Sequence, residues 1–373
     1  MFSGRMFKSK PQATSLRVRA SAVLIVVLLA GCTAPATTPT IPPTATPDTV
    51  TSAGLPKLIT ICLYADVTTL DVRVQTTLNA RTIAGNIQDK LIAAWGPNME
   101  LVPQLATSWE SIDPLTWRLH LREGVEFTNG EPFNAQAVKY SIESQQSGRG
   151  TVRNYLDTIE LVHVVDDYTV DLVTEDPNVM TIRNLTMVYM YPAEYGQEVG
   201  DRFSEHPIGS GPFKFVEWAK GDHVTLEANH SYWNESLWGG PSPVETVVFK
   251  LCPEVSTRVA MLQRAETDLI DNIPPELVPQ IDGKTDTRVI SFPGFKRVFI
   301  RIDAREGISP PLDDVRVREA LNHAIDRNSI AGNLLSGYAS QYVGFVHNGL
   351  PSQNRDLEPY RYDPEKTKML LAE

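Results

Sequence analysis

The sequence predicts an α/β fold, with α+β as the neighbouring class. Three observations carry the prediction. Helical and strand-like periodicities interleave along the chain, no internal repeat recurs, and 42% hydrophobic residues over 373 positions supply two or three cores. Forty-five acidic against 34 basic residues leave a net charge of −11. That balance excludes a general nucleic-acid binder, because a phosphate backbone needs a basic surface.

The first element is a leader. Residues 1–19 are basic (Arg5, Lys8, Lys10, Arg17 and Arg19, with no acid), Ala22 to Ala30 are apolar, and Leu29-Ala30-Gly31-Cys32 follows. The apolar run is too short to cross about 30 Å of hydrocarbon as a helix, so 1–31 reads as a bacterial lipoprotein signal peptide. Its similarity to the lipobox implies cleavage before Cys32, lipidation of that thiol and a mature domain outside the cytoplasm. From Thr33 to Pro56, Thr, Pro and Ala fill 18 of 24 places. Such a stretch has little to bury and stays extended, so 32–56 reads as a tether reaching up to about 75 Å.

The folded part opens with the β-prone run KLITICLY (57–64). LNARTIAGNIQDKLIAAW then places Ile83, Ile87, Leu91 and Ile92 at helical spacing, with a start near Asn79. LTWRLHLREGVEF alternates Leu115, Trp117, Leu119 and Leu121 inward as a strand, before a tight hairpin turn at Asn129-Gly130. A helix bearing Ala137, Val138 and Ile142 stops at Gly148, and LVHVVDDYTVDLVT predicts a hairpin turning near Asp166-Asp167.

Two more strands, DHVTLEAN and ETVVFKLC, flank the turn-rich SYWNESLW. STRVAMLQRAETDLIDN predicts a helix with Val259 and Leu262, then a short strand at Leu269. DDVRVREALNHAID puts Val317, Leu321, Ala324 and Ile325 on one helix face behind an Asp313 or Asp314 N-cap. YDPEKTKMLLAE starts a helix capped by Asp363 with Pro364 at its first position; it stops at Glu373 without a C-terminal cap, so the chain reads as truncated.

Apart from Cys32, the cysteines are Cys62 and Cys252, each near the end of a strand-like run. A disulfide between them and two buried free thiols are both open readings. The seven histidines show no metal-ligand spacing, and no nucleophile elbow, β-lactamase set or kinase set occurs. The sequence therefore predicts no cofactor, no protein-built metal site and no enzyme. Gly209-Ser210-Gly211-Pro212 lacks the spacing of a phosphate loop and reads as a crossover between domains. Trp109, Trp117 and Trp233 read as core aromatics.

Nine runs, in order, resemble the extracytoplasmic solute-binding proteins of family 5, the dipeptide-, oligopeptide- and nickel-binding lipoproteins of ABC importers. They are TTLD ending at Leu70-Asp71, LVPQLATSWE, TWRLHLREGVEFTNGEPFNAQAVKYSIE, VVDDYTVDL, HPIGSGPFKFVEWAKGD, LEANHSYWN, VVFKLCPEVSTRVAMLQRAETDLI, PPLDDVRVREALNHAIDRNSI and YDPEKTKMLLAE. Departures are Val72 for proline, Ser210 for threonine, Phe213 for tyrosine and Ala265 for a helix-ending glycine. An αL cap is disfavoured at alanine, so that helix is expected to end differently.

The resemblance implies a periplasmic-binding-protein type II-like fold of two lobes with an extra inserted domain, the last lobe incomplete. It implies domain I at 57–86 and 206–290, inserted domain II at 87–205, and the start of domain III at 291–373. It further implies capture of peptides between lobes by a monomer and delivery to a permease and ATPase complex. The family's acidic contact to a peptide amino group would lie beyond Glu373, and no residue here inherits it. Cleft positions suggested by the resemblance are Thr76, Thr77 and Asn79 after Asp71, and Phe295 and Lys296 further on. Other solutes (sugars, nickel chelates, opines), a non-transport sensor or chaperone-like protein, and an inactive fragment are the rival readings.

Overall fold

The computed structural model describes residues 57–75, 77–96, 99–235, 242–284, 286–291, 294, 298–303, 305, 309–344, 354 and 356–373. Strand β1 (Leu58–Leu63) leads through a loop into helix α1 (Leu78–Ile87). Thr77 caps α1 by accepting from the Ala80 amide, and Ile83 and Ile87 are fully buried, each worth roughly 1.5–3 kcal/mol relative to exposure.

Helical spacing continues through Leu91 and Ile92, but the helix does not. Gln88 is extended, and β2 (Ile92–Trp95) pairs antiparallel with β3 (Glu100–Pro103). Leu91 and Ile92 are buried in a different core from Ile83 and Ile87. The periodicity joins two elements that tertiary packing separates.

A four-stranded antiparallel sheet follows, in the order β4 (Ala106–Asp113), β5 (Thr116–Leu121), β7 (Thr169–Thr174), β6 (Ile159–Asp166). Leu119 and Leu121 face inward as expected, whereas Leu115 sits exposed in the β4–β5 turn. The Asn129-Gly130 turn is a three-residue hairpin connection with a bulge. The Phe127 amide donates to the Glu131 carbonyl, the Gly130 amide donates back to Phe127, and of these two only Gly130 has positive φ, 89°. Helix α2 (Ala135–Ser147), N-capped by Asn134, lays Val138 and Ile142 on this sheet. Trp109, Trp117 and Trp233 pack, partly buried, against the same core.

Beyond α3 (Ala193–Val199) the chain returns to the first sheet. The hairpin of β8 (Phe213–Ala219) and β9 (His223–Ala228) is followed by β10 (Thr246–Leu251), α4 (Val255–Gln263) and β11 (Leu269–Ile270). The order is β11-β1-β10-β9-β8, with β1 parallel to both β10 and β11 and the remaining pairs antiparallel. One face buries Leu63, Val247 and Phe249 with α1; the other buries Cys62, Cys252 and Ile270 under α4.

Ala265 corrects an expectation. It takes the left-handed conformation at φ 55° and closes α4 with two hydrogen bonds, Glu266 N to Met261 O and Ala265 N to Leu262 O. This is the double bond of a Schellman cap. Helix α5 (Val315–His323), capped by Asp314, buries Ala320 and His323 while Leu321 and Ala324 are exposed, so the predicted face is shifted. The shift follows its partner, α6 (Pro364–Ala372): Thr367 donates to the Ala320 carbonyl and Lys366 Nζ meets Glu319 at 2.8 Å.

Candidate functional site

The carboxyl ends of the parallel strands β1, β10 and β11 lie together, which is where open α/β sheets bind ligands. The loop from Tyr64 to Thr77 leaves β1 at this edge. Asp71, buried, orders it: its Oδ1 accepts from the Arg73 amide at 2.9 Å, and its Oδ2 meets Arg73 Nη2 at 2.6 Å. Arg73 also donates to the Gly200 carbonyl and lies over the Phe203 ring at 5.6 Å. Burial alone would lower the Arg73 pKa, but the hydrogen bond and charge of Asp71 outweigh it and hold the guanidinium above its ordinary value.

The backbone is clamped as well. The Arg73 and Gln75 carbonyls accept from the Gly150 and Thr151 amides at 2.8 and 3.2 Å. A Cβ on Gly148 would sit 2.2 Å from the Arg73 carbonyl oxygen, so only glycine admits this approach. The loop is thus a fixed wall, held from the side of α2.

Thr77 and Asn79 have internal tasks here. Thr77, half-buried, is the α1 cap. Asn79 is buried and donates Nδ2 to the Ala65 carbonyl at 2.6 Å, pinning the start of the loop from beneath. Thr76, Phe295, Lys296 and Cys32 lie outside the described residues. Between the pinned points, Val74 and Leu78 point outward, 41% and 65% exposed. Leu63, Asp66, Val67, Trp218, Asp222 and His223 are among the residues lining a shallow opening with a cavity volume of only about 10 Å3, room for a single water. Asp222 Oδ2 and Glu217 Oε1 lie 2.9 and 3.1 Å from His223 Nδ1 and Nε2, placed to accept from the ring, and they raise its pKa.

Cys62 and Cys252 are buried free thiols, not joined. Among the described residues, no group of three His, Cys, Asp or Glu side chains could hold a metal ion. None of the described helices is long and apolar enough to cross a membrane.

A second constellation joins the two sheets; the sequence marked its Gly209–Pro212 crossover and Trp233 but not its centre, Asp89. The chain leaves the first sheet at Ile87–Asp89 and returns at Ile208–Pro212 alongside. A Cβ on Gly209 would meet the Ile87 carbonyl oxygen at 2.1 Å, and the Gly211 amide donates to that oxygen at 2.9 Å. The expected crossover is therefore a backbone contact that requires glycine.

Asp89 sits in the crossing, accepting from Trp233 Nε1 (2.7 Å), Ser210 Oγ (3.0 Å) and Tyr232 OH (3.2 Å). Burial raises its pKa, and the three hydrogen bonds oppose the rise. A folded pKa above the unfolded one means that this group favours folding at low pH and loses that contribution as pH rises through the folded value. The Arg122 guanidinium lies over the Trp233 ring, 4.6 Å from its centroid. In the sequence Asp89 sits between Gln88 and Lys90, ahead of the apolar LIAAW, and no local signal marks it.

Residues 100–373 match the profile of bacterial extracellular solute-binding proteins, family 5 Middle. The chain belongs to this family. It is 29% identical over 303 residues to the glutathione-binding protein GsiB of Pectobacterium atrosepticum, covering 79% of this chain and 56% of that one. It is 27% identical to the dipeptide-binding protein of Escherichia coli, covering 80% and 59%. The PBP AgaA of A.tumefacien R10, solved with agropinic acid, superposes with a TM-score of 0.68 at 26% identity, over 84% of this chain and 64% of that one. The present chain thus spans little more than half the length of these two curated relatives.

Proposed function

We propose that this family member is the substrate-capturing lipoprotein of an ATP-driven importer, and that its solute is a di- or oligopeptide. The observation that carries the reading is the loop Tyr64–Thr77. It stands at the carboxyl ends of three parallel strands, is locked by Asp71, Arg73 and Asn79, and turns Val74 outward beside Leu78, the exposed first residue of α1. A rigid wall with apolar side chains presents a preformed surface to a ligand, which lowers the ordering cost of binding.

In this reading residues 57–86 and 206–290 form the first lobe, 87–205 the inserted domain, and 291–373 the start of the opposing lobe. Thr76 and Thr77 face the solute from one side, with Phe295 and Lys296 from the other. Contacts made to both lobes exist only when they close, so the solute shifts the population toward closure. A monomer in this closed form docks on the permease and ATPase complex. Cys32 carries the lipid that holds the protein at the outer face of a membrane, and the Thr/Pro tether keeps it within reach of its partner. No chemistry on the solute is involved.

Glutathione- and dipeptide-binding relatives support a peptide; the agropinic-acid neighbour keeps a second reading, another small polar solute. Thermal unfolding with a peptide panel separates them. A ligand at a hundredfold excess over its Kd stabilises the native state by about 2.7 kcal/mol. A peptide-dependent rise in midpoint is the expected result. A cooperative transition that peptides leave unmoved, but an opine or metal chelate raises, would overturn the peptide assignment.

A further inference from the structure

Side-chain alternation brings the two non-lipobox cysteines to one place. In β1, Leu63 faces the α1 core and Cys62 the opposite face. In β10, Val247 and Phe249 face the α1 core, so Lys250 and the following Cys252 share the face of Cys62. The parallel register sets Cys62 beside Lys250, and the Cys252 amide extends the ladder by donating to the Leu63 carbonyl at 2.9 Å. The cysteines are diagonal neighbours on adjacent strands. Met261 Sδ of α4 lies 4.0 Å from Cys62 Sγ and 3.9 Å from Cys252 Sγ, so one thioether touches both thiols.

We propose that Cys62 and Cys252 are a redox pair that closes into a disulfide, stapling β1 to the end of β10 directly beneath the Tyr64–Thr77 loop. The structure shows the reduced form. In the folded chain the Cys62 thiol is inaccessible and the Cys252 thiol nearly so, and burial together with Cys62 pushes the Cys252 thiol up to about 12. The folded pair is therefore a poor nucleophile, and closure takes place before α4 covers it.

One cysteine thiolate attacks a disulfide carried by a thiol-oxidising catalyst, forming a mixed disulfide and releasing one catalyst thiolate. The second cysteine then attacks the mixed disulfide and releases the other. The protein thiols give up two electrons and two protons, and the catalyst disulfide is reduced to a dithiol. Once α4 docks, the bond is shielded from reductants as the thiols were from oxidants. The supply of oxidant rests on the extracytoplasmic reading; the geometry of the pair does not.

The test is thiol counting on the full chain exported with its own leader, by alkylation after denaturation and mass spectrometry. Without reductant, Cys62 and Cys252 are expected unlabelled and recovered as one linked peptide pair; after reduction both label. The same count is made on chain refolded in a glutathione redox buffer. A bond that forms there but not in exported chain supports the pair and places the failure with the compartment. Two free thiols under both conditions overturn the proposal. Thermal unfolding adds a readout that core packing would not move: reductant present during refolding lowers the midpoint of wild type and leaves C62A/C252A unchanged. Equal wild-type midpoints with and without reductant also overturn it.

Discussion

The two sheets are built on opposite principles. The four-stranded sheet takes β4 to β7 from one continuous stretch, pairs them antiparallel, and rests on an apolar core that includes Leu119, Ile142 and Leu172. The five-stranded sheet places β1 between β10 and β11, which lie far along the sequence, and the inserted stretch interrupts it. Its joints to the rest are polar: the Asp71–Arg73 pair within the Tyr64–Thr77 loop and the Asp89 cluster at the crossing. Local pairing can rely on undirected burial because the turns set the register. A non-local assembly needs groups whose hydrogen bonds are satisfied in only one arrangement, as here with Asp89.

The largest expected effect tests that contrast at the crossing. Asp89→Ala leaves the Trp233, Ser210 and Tyr232 donors without their common acceptor, and a loss of about 3–5 kcal/mol is expected in urea denaturation. Because the residue joins the sheets, the unfolding transition should also broaden or split. A single transition at the wild-type midpoint would remove Asp89 as the joint. Leu119→Ala, in the other sheet, should cost about 2–5 kcal/mol through the cavity it leaves while the transition stays single.

A smaller change of opposite sign is expected on the five-stranded side. Ala265→Gly relieves a left-handed alanine and should stabilise by about 1 kcal/mol, read as a higher urea midpoint. No gain would mean that the Schellman cap carries no strain. The smallest effect at neutral pH concerns Lys90, whose ammonium lies over the Tyr189 ring at 4.8 Å. Burial, then the charge of Arg81, lowers its pKa from 10.5 to about 8. The unfolded chain therefore binds more protons between those values, and stability should climb as pH rises from 8 toward 10.5. Lys90→Met should flatten that slope; an unchanged slope would assign it to another group.

Much of the four-stranded sheet was legible beforehand. The Asp166-Asp167 turn, the helix stop at Gly148 and the inward set Leu119 and Leu121 depend on neighbours a few residues away. Legibility fell where distant segments compete. The α1 pattern ran on into Ile92 because helical spacing cannot register that Leu91 and Ile92 belong to another core. Asn79, which the resemblance suggested as a solute contact, is buried and pins the start of the Tyr64–Thr77 loop, a task that only the fold reveals. Arg73, which reaches Gly200 and Phe203, carried no local mark of its role.

By itself the sequence determined the local chemistry: a basic stretch ahead of Cys32 and a Thr/Pro-rich run after it, Asp314 and Asp363 as helix starts, and the family to which residues 100–373 belong. Each follows from interactions that span at most a turn or from a pattern written in order. Tertiary structure alone decided that α1 stops at Ile87, that Ala265 accepts a left-handed cap, that Asp89 is the buried joint, and that Cys62 and Cys252 meet beneath α4. Those outcomes depend on which groups become buried together, and burial is a property of segments that meet only once the chain has folded.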